Sequence, residues 1–390
     1  MKRVLVTGGS GFIGNAVVKF LSKSHDVVVL DNFSPQIHGE NHEESFLYRG
    51  IKDLCTVHNG DVCSPEDVAS ALNGVDAVIH LAAETGTGQS MYELNRYTRV
   101  NILGTSNLLE TILKNKLPVK KIILSSSRSV YGEGMYSCGE HGTVVPDSRR
   151  VQDMLDGDFE PKCPSCGRPV SLLRTAEDCE LKPISYYAYT KMAQEKMLEL
   201  MAPSMGIAYT IFRYQNVYGA GQSLSNPYTG ILSIFSKSLI QGKPINVFED
   251  GLESRDFVHV NDVAAATCSA LDRPSTDNRY INVGSGESVS ILTVAETLKR
   301  LYGSDSPIGI SGDFRKGDIR HNIADISAAR GLCGYSPVYG FEQGMGEFTD
   351  WVRTEFEKNR VDVSDSSYRN SIDEMITIGM LFQKGDGSVG

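Results

Sequence analysis

The 390-residue chain is long enough for an enzyme core and a second region. Its net charge of −10, without a long basic run, argues against nucleic-acid binding through neutralised phosphates. No run of 18 uninterrupted apolar residues predicts a membrane span. Lys2 and Arg3 precede a hydrophobic run as in a secretion signal, but the glycines of residues 8–14 interrupt that run. We therefore expect a cytoplasmic protein that contacts neither nucleic acid nor membrane.

Short β-branched runs alternate with helical patterns through the first half of the chain. Strands are predicted at Lys2–Val6, Val27–Leu30, Val57–Asp61, Ala77–Leu81 and Lys121–Ser125, and helices at Pro65–Leu72 and Arg99–Leu113. This alternation predicts an α/β fold with a doubly wound parallel sheet.

Residues 134–182 interrupt the alternation and are rich in Cys, Gly, Pro and charge, which indicates an insertion. A helix at Tyr187–Met201 and a strand at Tyr209–Arg213 then resume the pattern. Residues 217–350 are mixed and include a predicted helix at Ile231–Gln241; a last helix follows Phe341, and a mostly polar tail begins at 357.

A Gly-x-x-Gly-x-x-Gly turn at Gly8, Gly11 and Gly14 lies between the first strand and its helix. Glycine allows the backbone to approach a pyrophosphate, and the helix N-terminus favours its negative charge. Asp31 closes the second strand, where a carboxylate can bind both ribose hydroxyls and repel a 2′-phosphate. The pattern predicts an NAD site, with NAD favoured over NADP. Asp61-Val62 and His80-Leu-Ala-Ala-Glu84 end the next strands, where small residues would let the chain pass close to the cofactor.

Tyr187 and Lys191 form a Tyr-x-x-x-Lys pair on one face of a predicted helix. A phenol has a pKa of about 10, and a nearby ammonium and a cationic nicotinamide would lower it towards that of a useful base. The neighbouring Tyr186 and Tyr189 have no lysine four residues later. Upstream, the serine-rich segment Ser125–Gly132 follows a buried strand and could present hydroxyls to a substrate oxygen.

These motifs together resemble the extended short-chain dehydrogenase/reductases, and in particular their nucleotide-sugar epimerases and dehydratases. The resemblance covers about residues 1–350. It rests on the segments Thr7–Gly14, His80–Ala83, Ser125–Gly132, Tyr187–Lys191, Arg213–Gly219, Asp250–Val260, Tyr280–Gly286 and Arg315–Asp318. It implies a Rossmann sheet with a smaller C-terminal substrate-binding domain. The expected NAD-binding domain comprises 1–216 plus about 255–283 and carries the insertion at about 134–182; the substrate-binding domain comprises 217–254 plus 284–356, before a tail at 357–390.

The resemblance also implies residue roles. Tyr187 would be the acid/base, Lys191 would hold the ribose and tune Tyr187, and Ser127 would bind the reacting hydroxyl. The cofactor residues would be Gly8, Gly11, Phe12, Ile13, Gly14, Asp31, Asn32, Asp61, Val62, Leu81, Ala82, Ala83, Tyr187, Lys191 and Tyr214. The substrate residues would be Ser90, Ser127, Ser129, Asn216, Asn246, Phe248, Arg255 and Arg315. Arginine suits bidentate phosphate binding, which supports the last two.

Arg128 and Ser129 argue against dehydration, because related dehydratases carry an acidic pair at these two positions. The family's decarboxylases usually keep a Glu at the position of Ser129. Simple epimerisation at C4 needs only the tyrosine, the lysine, a hydroxyl and NAD, so it is the reaction that the residues favour.

Two Cys/His pairs in the insertion indicate a metal site. Cys138-x-x-His141 and Cys163-Pro-Ser-Cys166-Gly supply four N/S ligands, enough for a closed tetrahedral structural zinc, and Cys179 is a possible substitute. Reduced cysteines without metal are the alternative. This insertion and the segment Gly86–Glu93 resemble the dTDP-L-rhamnose 4-epimerases, which make dTDP-6-deoxy-L-talose.

Other functions stay open at this stage. A UDP-hexose 4-epimerase is the first alternative, and a nucleotide-sugar dehydrogenase that releases a 4-keto sugar is the second. A non-catalytic NAD-binding sensor or scaffold belongs to a different class; such chains typically lose the tyrosine or the lysine, and this one keeps both. The family resemblance further suggests a homodimer through helices near 93–113 and 187–201.

Overall fold

A computed structural model of the chain describes residues 1–224, 230–358 and 366–384. Parts of the predicted substrate-binding region and tail, at 225–229, 359–365 and 385–390, lie outside the described residues. Within the described ranges, no helix is both long and apolar enough to cross a bilayer.

The elements follow the predicted alternation, with ends that differ from the predictions by a few residues. The strands are β1 Arg3–Thr7, β2 Asp26–Asp31, β3 Thr56–Asn59, β4 Ala77–His80, β5 Lys121–Ser127, β6 Tyr136–Cys138, β7 Gly142–Val144, β8 Ser171–Leu172, β9 Ala208–Tyr214, β10 Asn216–Tyr218, β11 Ile245–Val247, β12 Ser254–Arg255, β13 Phe257–His259, β14 Arg279–Val283, β15 Val289–Ser290, β16 Ile308–Ile310, β17 Phe314–Arg315 and β18 Leu381–Phe382. The helices are α1 Phe12–Leu21, α2 Pro35–His38, α3 Phe46–Arg49, α4 Pro65–Ala71, α5 Thr87–Ser90, α6 Leu94–Tyr97, α7 Gly104–Lys114, α8 Val151–Leu155, α9 Tyr186–Ser204, α10 Ile231–Ile240, α11 Val260–Ser269, α12 Ile291–Tyr302, α13 Phe341–Glu357 and α14 Ser366–Thr377. A π-helical turn at Thr98–Leu103 joins α6 to α7, where the sequence predicted one helix.

The central sheet has seven parallel strands in the order β14-β9-β5-β4-β1-β2-β3. This confirms the predicted doubly wound sheet. The chain runs outward from β1 to β3 and then returns to place β4 on the other side of β1. A reversal of this kind leaves a crevice at the carboxyl ends of the strands, which is where ligands bind in such sheets.

Alternate residues of each central strand pack on opposite faces of the sheet. Val4 and Val6 of β1 join a core with α1 and α11, whereas Leu5 joins a core with α4, α7 and α9. Because both faces are covered by helices, the strands read as continuous apolar runs rather than alternating ones.

Besides the cores on the two faces of the central sheet, the protein has a separate hydrophobic core outside that sheet, which we call the second core. It is formed by α10, α12, α13 and the parallel pair β11–β16, with Phe235, Leu298 and Phe348 buried at its centre. The predicted division of the chain into NAD-binding and substrate-binding domains at the stated boundaries stays a prediction.

Residues 134–182 form a small antiparallel sheet with the strand order β7-β6-β8, and α8 lies between β7 and β8 in the sequence. Phe159 and Met154 of this region pack on Phe314 of β17. The region is therefore attached to the C-terminal half of the chain through an apolar contact.

The described part of the tail folds back onto the protein. β18 pairs antiparallel with β17, and the ring of Phe382 stacks on Phe314 at 5.0 Å between centroids. Met375 of α14 is buried, and its sulfur lies against Gly88 of α5. The tail thus contacts α5 and β17, the two elements that carry the predicted substrate residues Ser90 and Arg315.

Candidate active site

The glycine turn between β1 and α1 forms a cradle that other residues could not build. Gly8 has a φ of +69°, and a Cβ there would lie 2.8 Å from the backbone nitrogen of Ala82. A Cβ on Gly14 would collide with the carbonyl oxygen of Gly8. The backbone is therefore open to the close approach of a pyrophosphate at the N-terminus of α1, so the residues fit NAD.

Asp31 lies at the end of β2 and organises the same turn. Its Oδ2 accepts a hydrogen bond from the Ser10 N–H at 2.9 Å, and its Oδ1 accepts one from the Phe33 N–H at 3.0 Å. Burial raises the pKa of Asp31, and the two backbone hydrogen bonds oppose that rise. Each carboxylate oxygen keeps acceptor capacity for a ribose hydroxyl.

Asp31 should therefore decide the choice of dinucleotide. We expect the protein to bind NAD more tightly than NADP, and Asp31→Asn to weaken NAD binding by about tenfold or more, since charged hydrogen bonds contribute about 1.5–3 kcal/mol each. The same change should narrow the NAD-over-NADP preference, because the charge that repels the 2′-phosphate is lost. Calorimetric titration with both dinucleotides measures this, and tighter binding of NADP to the unmodified protein would contradict it.

A cavity of about 440 Å³ runs across the carboxyl ends of the strands. Every residue predicted to bind the cofactor lines it, from Gly8 and Asp31 at one end to Tyr187, Lys191 and Tyr214 at the other. Residues that lie far apart in the sequence therefore surround one continuous space.

Tyr187 and Lys191 face this cavity from the first turns of α9. Ser185 caps the N-terminus of this helix, because its hydroxyl accepts a hydrogen bond from the Ala188 N–H. The Tyr187 N–H donates to the Ser90 hydroxyl at 3.0 Å, and the Lys191 ammonium donates to the carbonyl of Ser125 at 2.8 Å. The tyrosine–lysine pair is thus fixed to α5 through Ser90 and to β5 through Ser125.

The groups of the protein that act on the pKa of Tyr187 differ from the expected one, which was the ammonium of Lys191. Burial raises the pKa of Tyr187, and a hydrogen bond with Ser127 and the charge of Arg128 both act to lower it. Burial lowers the pKa of Lys191 to about 7, while Glu195 acts to raise it. Within the protein alone, the positive charge that acts on the phenol is that of Arg128, which the sequence analysis had noted only as a missing carboxylate.

Three of the eight predicted substrate residues line the cavity beside Tyr187, namely Ser127, Ser129 and Asn216. Ser129 Oγ and Asn216 Oδ1 are buried without a hydrogen-bond partner among the described residues. Buried polar atoms are normally satisfied, so these two are available to a bound ligand.

The structure describes the other five predicted substrate residues too, and none of these five lines the cavity. Ser90 holds Tyr187, as above, and Asn246 is exposed on β11. Arg315 lies over the ring of Phe248, with its carbon centre 5.1 Å from the ring centroid. Arg255 donates to Asp318 Oδ1 at 3.1 Å and to two backbone carbonyls. Arg255 and Arg315 both act on the pKa of Asp318, so they form one cationic region on the C-terminal side.

The predicted metal ligands also come together. Cys138, His141, Cys163 and Cys166 place their ligand atoms within 4.8 Å of one another. Cys179 is not part of this cluster; its thiol points to the carbonyl of Glu180 in a separate apolar group with Val130.

A glycine cradle for a dinucleotide and a tyrosine–lysine pair at the far end of the same cavity define the chain as an extended short-chain dehydrogenase/reductase. A sequence model described as the NAD dependent epimerase/dehydratase family matches residues 4–149 and 165–284. The chain belongs to this family. Residues 150–164, within the predicted insertion, fall outside the matched ranges.

Several relatives match almost the whole chain. A dTDP-L-rhamnose 4-epimerase of Burkholderia thailandensis is 37% identical over 92% of this chain and 96% of its own length. A putative UDP-glucose 4-epimerase of Methanocaldococcus jannaschii is 28% identical over 90% of this chain and 98% of its own. The crystal structure of a UDP-glucose 4-epimerase from Thermotoga maritima, with UDP-glucose, is 29% identical at a TM-score of 0.73, covering 91% of this chain and 99% of that one. A UDP-glucuronic acid 4-epimerase of Bacillus cereus, in complex with UDP-glucuronic acid and NAD, is 25% identical at the same TM-score, covering 90% and 99%.

Proposed function

We propose that this chain, an NAD-dependent nucleotide-sugar 4-epimerase, inverts C4 of dTDP-L-rhamnose to give dTDP-6-deoxy-L-talose. The observation that carries the choice of sugar is the 37% identity to the Burkholderia enzyme across nearly the full length of both chains. Arg128 and Ser129 agree with epimerisation at C4, because they leave no acidic pair beside Ser127 for dehydration.

The chain's own groups supply the acid–base part of the reaction. Tyr187 removes the proton of the C4 hydroxyl, Ser127 holds that oxygen by a hydrogen bond, and Lys191 is placed to bind the nicotinamide ribose. Bound NAD supplies the hydride acceptor for C4 and the donor for the return step. A 4-keto sugar then turns in the pocket, receives hydride on its opposite face, and Tyr187 returns the proton. NAD is therefore regenerated in each cycle.

A UDP-hexose 4-epimerase is the second candidate, and one observation favours it. The Thermotoga maritima and Bacillus cereus structures, both with UDP-sugars, share the fold at a TM-score of 0.73. The two candidates differ in the base and the sugar but use the same chemistry at C4.

A substrate panel separates these candidates. The purified protein is incubated with dTDP-L-rhamnose, UDP-glucose, UDP-N-acetylglucosamine and UDP-glucuronic acid, with catalytic NAD, and the products are identified by NMR. We expect dTDP-6-deoxy-L-talose from the first. If the protein converts a UDP-sugar but not dTDP-L-rhamnose, the proposal of dTDP-L-rhamnose as substrate is wrong and that UDP-sugar takes its place. A 4-keto product with stoichiometric NADH would indicate a dehydrogenase, and NAD binding without any turnover would indicate a sensor.

We also propose that Cys138, His141, Cys163 and Cys166 bind one structural zinc ion. Cys138 Sγ lies 3.7 Å from Cys166 Sγ and 3.6 Å from His141 Nδ1, and Cys163 Sγ lies 3.7 Å from the same nitrogen. Tetrahedral zinc with usual bond lengths separates two sulfur ligands by about 3.8 Å and a sulfur from a nitrogen by about 3.6 Å. The observed separations therefore match the edges of a zinc tetrahedron, and four protein ligands leave no open position for substrate.

The local backbone supports the same role. The Gly167 N–H donates to the carbonyl of Cys163 at 2.8 Å, which closes a tight turn around the Cys163-Pro-Ser-Cys166 segment. Cys138 ends β6, and a short hairpin brings His141 back beside it.

The homodimer stays a prediction, with one supporting feature. The helices that we expect at the interface carry exposed apolar side chains, namely Leu94, Leu103 and Leu113 on the α6–α7 segment and Tyr189 and Leu200 on α9.

A further inference from the structure

Arg128 is a charged residue in the active-site cavity that the reaction described above does not use. It follows Ser127 directly and begins the short 3₁₀ turn after β5. Its side chain is half-buried, lines the cavity, and forms no hydrogen bond or ion pair with any residue that the structure describes. The guanidinium of Arg128 has five N–H donors, and none is taken by a residue that the structure describes. Because the side chain lines the cavity, a ligand bound there can accept from these donors.

The charges around Arg128 come from several elements and do not neutralise it. Arg255, Asp318, Glu133 and Tyr187 all act on its pKa; burial and Arg255 lower that pKa to about 10, so the group stays protonated at neutral pH.

Both nearby carboxylates are already engaged. Asp318 accepts from Arg255 at 3.1 Å, and Glu133 lies 3.5 Å from Arg149 Nε and accepts from the Arg320 N–H. Arg315 adds a further positive charge near Asp318. Arg128 is therefore a cation on the cavity wall whose two nearby carboxylates are held by other arginines, in a chain of net charge −10.

The position of Arg128 indicates which part of an anionic substrate it meets. Arg128 lines the same cavity as its chain neighbour Ser127 and as Tyr187, which would hold the reacting hydroxyl of the sugar. The charge of Arg255, which belongs to the cationic region on the C-terminal side, also acts on Arg128. The group between a sugar and a nucleoside monophosphate in a nucleotide sugar is the sugar-linked phosphate.

We propose that Arg128 is a further substrate-binding residue whose guanidinium holds the sugar-linked phosphate of a nucleotide diphosphate-sugar beside Tyr187. This rests on the proposed function in that the substrate is a nucleotide diphosphate-sugar. An anchor at this phosphate keeps the 4-keto sugar in the pocket while leaving the sugar ring free to turn about its link to that phosphate. Its planar fork suits two phosphate oxygens at once, which a lysine does not match.

The test compares ligands that differ by this one phosphate. Calorimetry measures binding of dTDP, dTMP, UDP and UMP to the NAD-saturated protein and to Arg128→Gln and Arg128→Lys. We expect Arg128→Gln to weaken dTDP binding by about tenfold or more, because a charged hydrogen bond to phosphate is lost, and to leave dTMP within about twofold. Arg128→Lys should keep part of the dTDP affinity, since it keeps the charge but not the fork.

A matched control removes an arginine charge elsewhere. Arg300 on α12 is exposed and pairs only with Glu342 in the described part of the chain, so Arg300→Gln should bind all four nucleotides as the unmodified protein does. NAD binding and the melting temperature show whether each variant is folded. If Arg128→Gln does not fold, the dTDP-to-dTMP comparison in Arg128→Lys makes the same distinction.

Three results would overturn the proposal. Unchanged dTDP affinity in the folded Arg128 variants would show that the guanidinium holds no phosphate. Equal losses for dTDP and dTMP would place it at the other phosphate or make its effect general. Unmodified protein that binds neither dTDP nor UDP would overturn the proposed function and this inference together. If UDP binds in place of dTDP, the UDP-to-UMP comparison decides on Arg128 in the same way.

Discussion

Tyr187→Phe is expected to lower kcat by about 10²–10⁴-fold, the usual contribution of a positioned acid–base group. The substitution removes one oxygen from a half-buried ring whose position is set by the N-terminal turn of α9 and by the hydrogen bond from its backbone to Ser90. The fold and NAD binding should therefore be retained. Turnover of dTDP-L-rhamnose, NAD affinity and thermal melting measure the three properties separately.

The neighbouring tyrosine provides the control. Tyr189 lies two residues further along α9, and half of its surface is exposed. Tyr189→Phe should leave kcat within about twofold, because surface substitutions of this kind change little. Full activity of Tyr187→Phe, or equal losses in both variants, would contradict the assignment of Tyr187 as the acid/base.

Loss of the zinc ligands is the second large effect that we expect, and it acts on stability. The purified protein should contain about one zinc per chain by elemental analysis, as a closed four-ligand site requires. Cys163→Ser should remove most of the bound zinc and lower the melting temperature of the protein. In isolated zinc-finger peptides such a metal contributes about 10 kcal/mol or more. Here we expect a smaller loss, because the central sheet and the second core do not include the cluster.

Cys179→Ser is the matched control for the zinc experiment. It changes a buried thiol of the same region that lies outside the four-residue cluster, so the zinc content should stay unchanged. Metal-free protein whose melting does not change on substitution of Cys163 and Cys166 would refute the zinc site. Loss of zinc in Cys179→Ser alone would show that the ligand set is wrong.

The cofactor half of the site could be predicted from the sequence because its signals are local. Gly8–Gly14 is a contiguous strand–turn–helix, and the predicted cofactor residues Asp31, Asp61 and Leu81 lie at or just after the ends of parallel strands, so the fold itself brings them to one edge of the sheet. The spacing within the Cys138–His141 and Cys163–Cys166 pairs also restricts the backbone, and the structure brings these four residues together as predicted, while the zinc ion stays a proposal.

The substrate half was harder to predict for a physical reason. Asn246, Phe248 and Arg315 belong to elements whose position depends on long-range packing between the second core, the insertion and the tail. The pairing of β18 with β17, which carries Arg315, joins residues more than sixty positions apart. The otherwise polar tail is apolar at Met375–Phe382, but so short a stretch does not by itself indicate which strand it pairs with. Arg128 lies in the serine-rich motif after β5, where the sequence comparison with dehydratases predicts only that an acidic residue is missing. A basic residue between two serines at the end of a buried strand is the signal that could have revealed it.

The most direct test of the account follows the hydrogen at C4. dTDP-L-rhamnose deuterated at C4 is converted in ordinary water, and the product is analysed by NMR and mass spectrometry. Hydride that leaves C4 and returns to it within one closed cycle never exchanges with solvent, so we expect dTDP-6-deoxy-L-talose with the deuterium still at C4 and no net formation of NADH. Loss of the deuterium to water, or NADH formed in proportion to product, would contradict epimerisation through a bound 4-keto sugar.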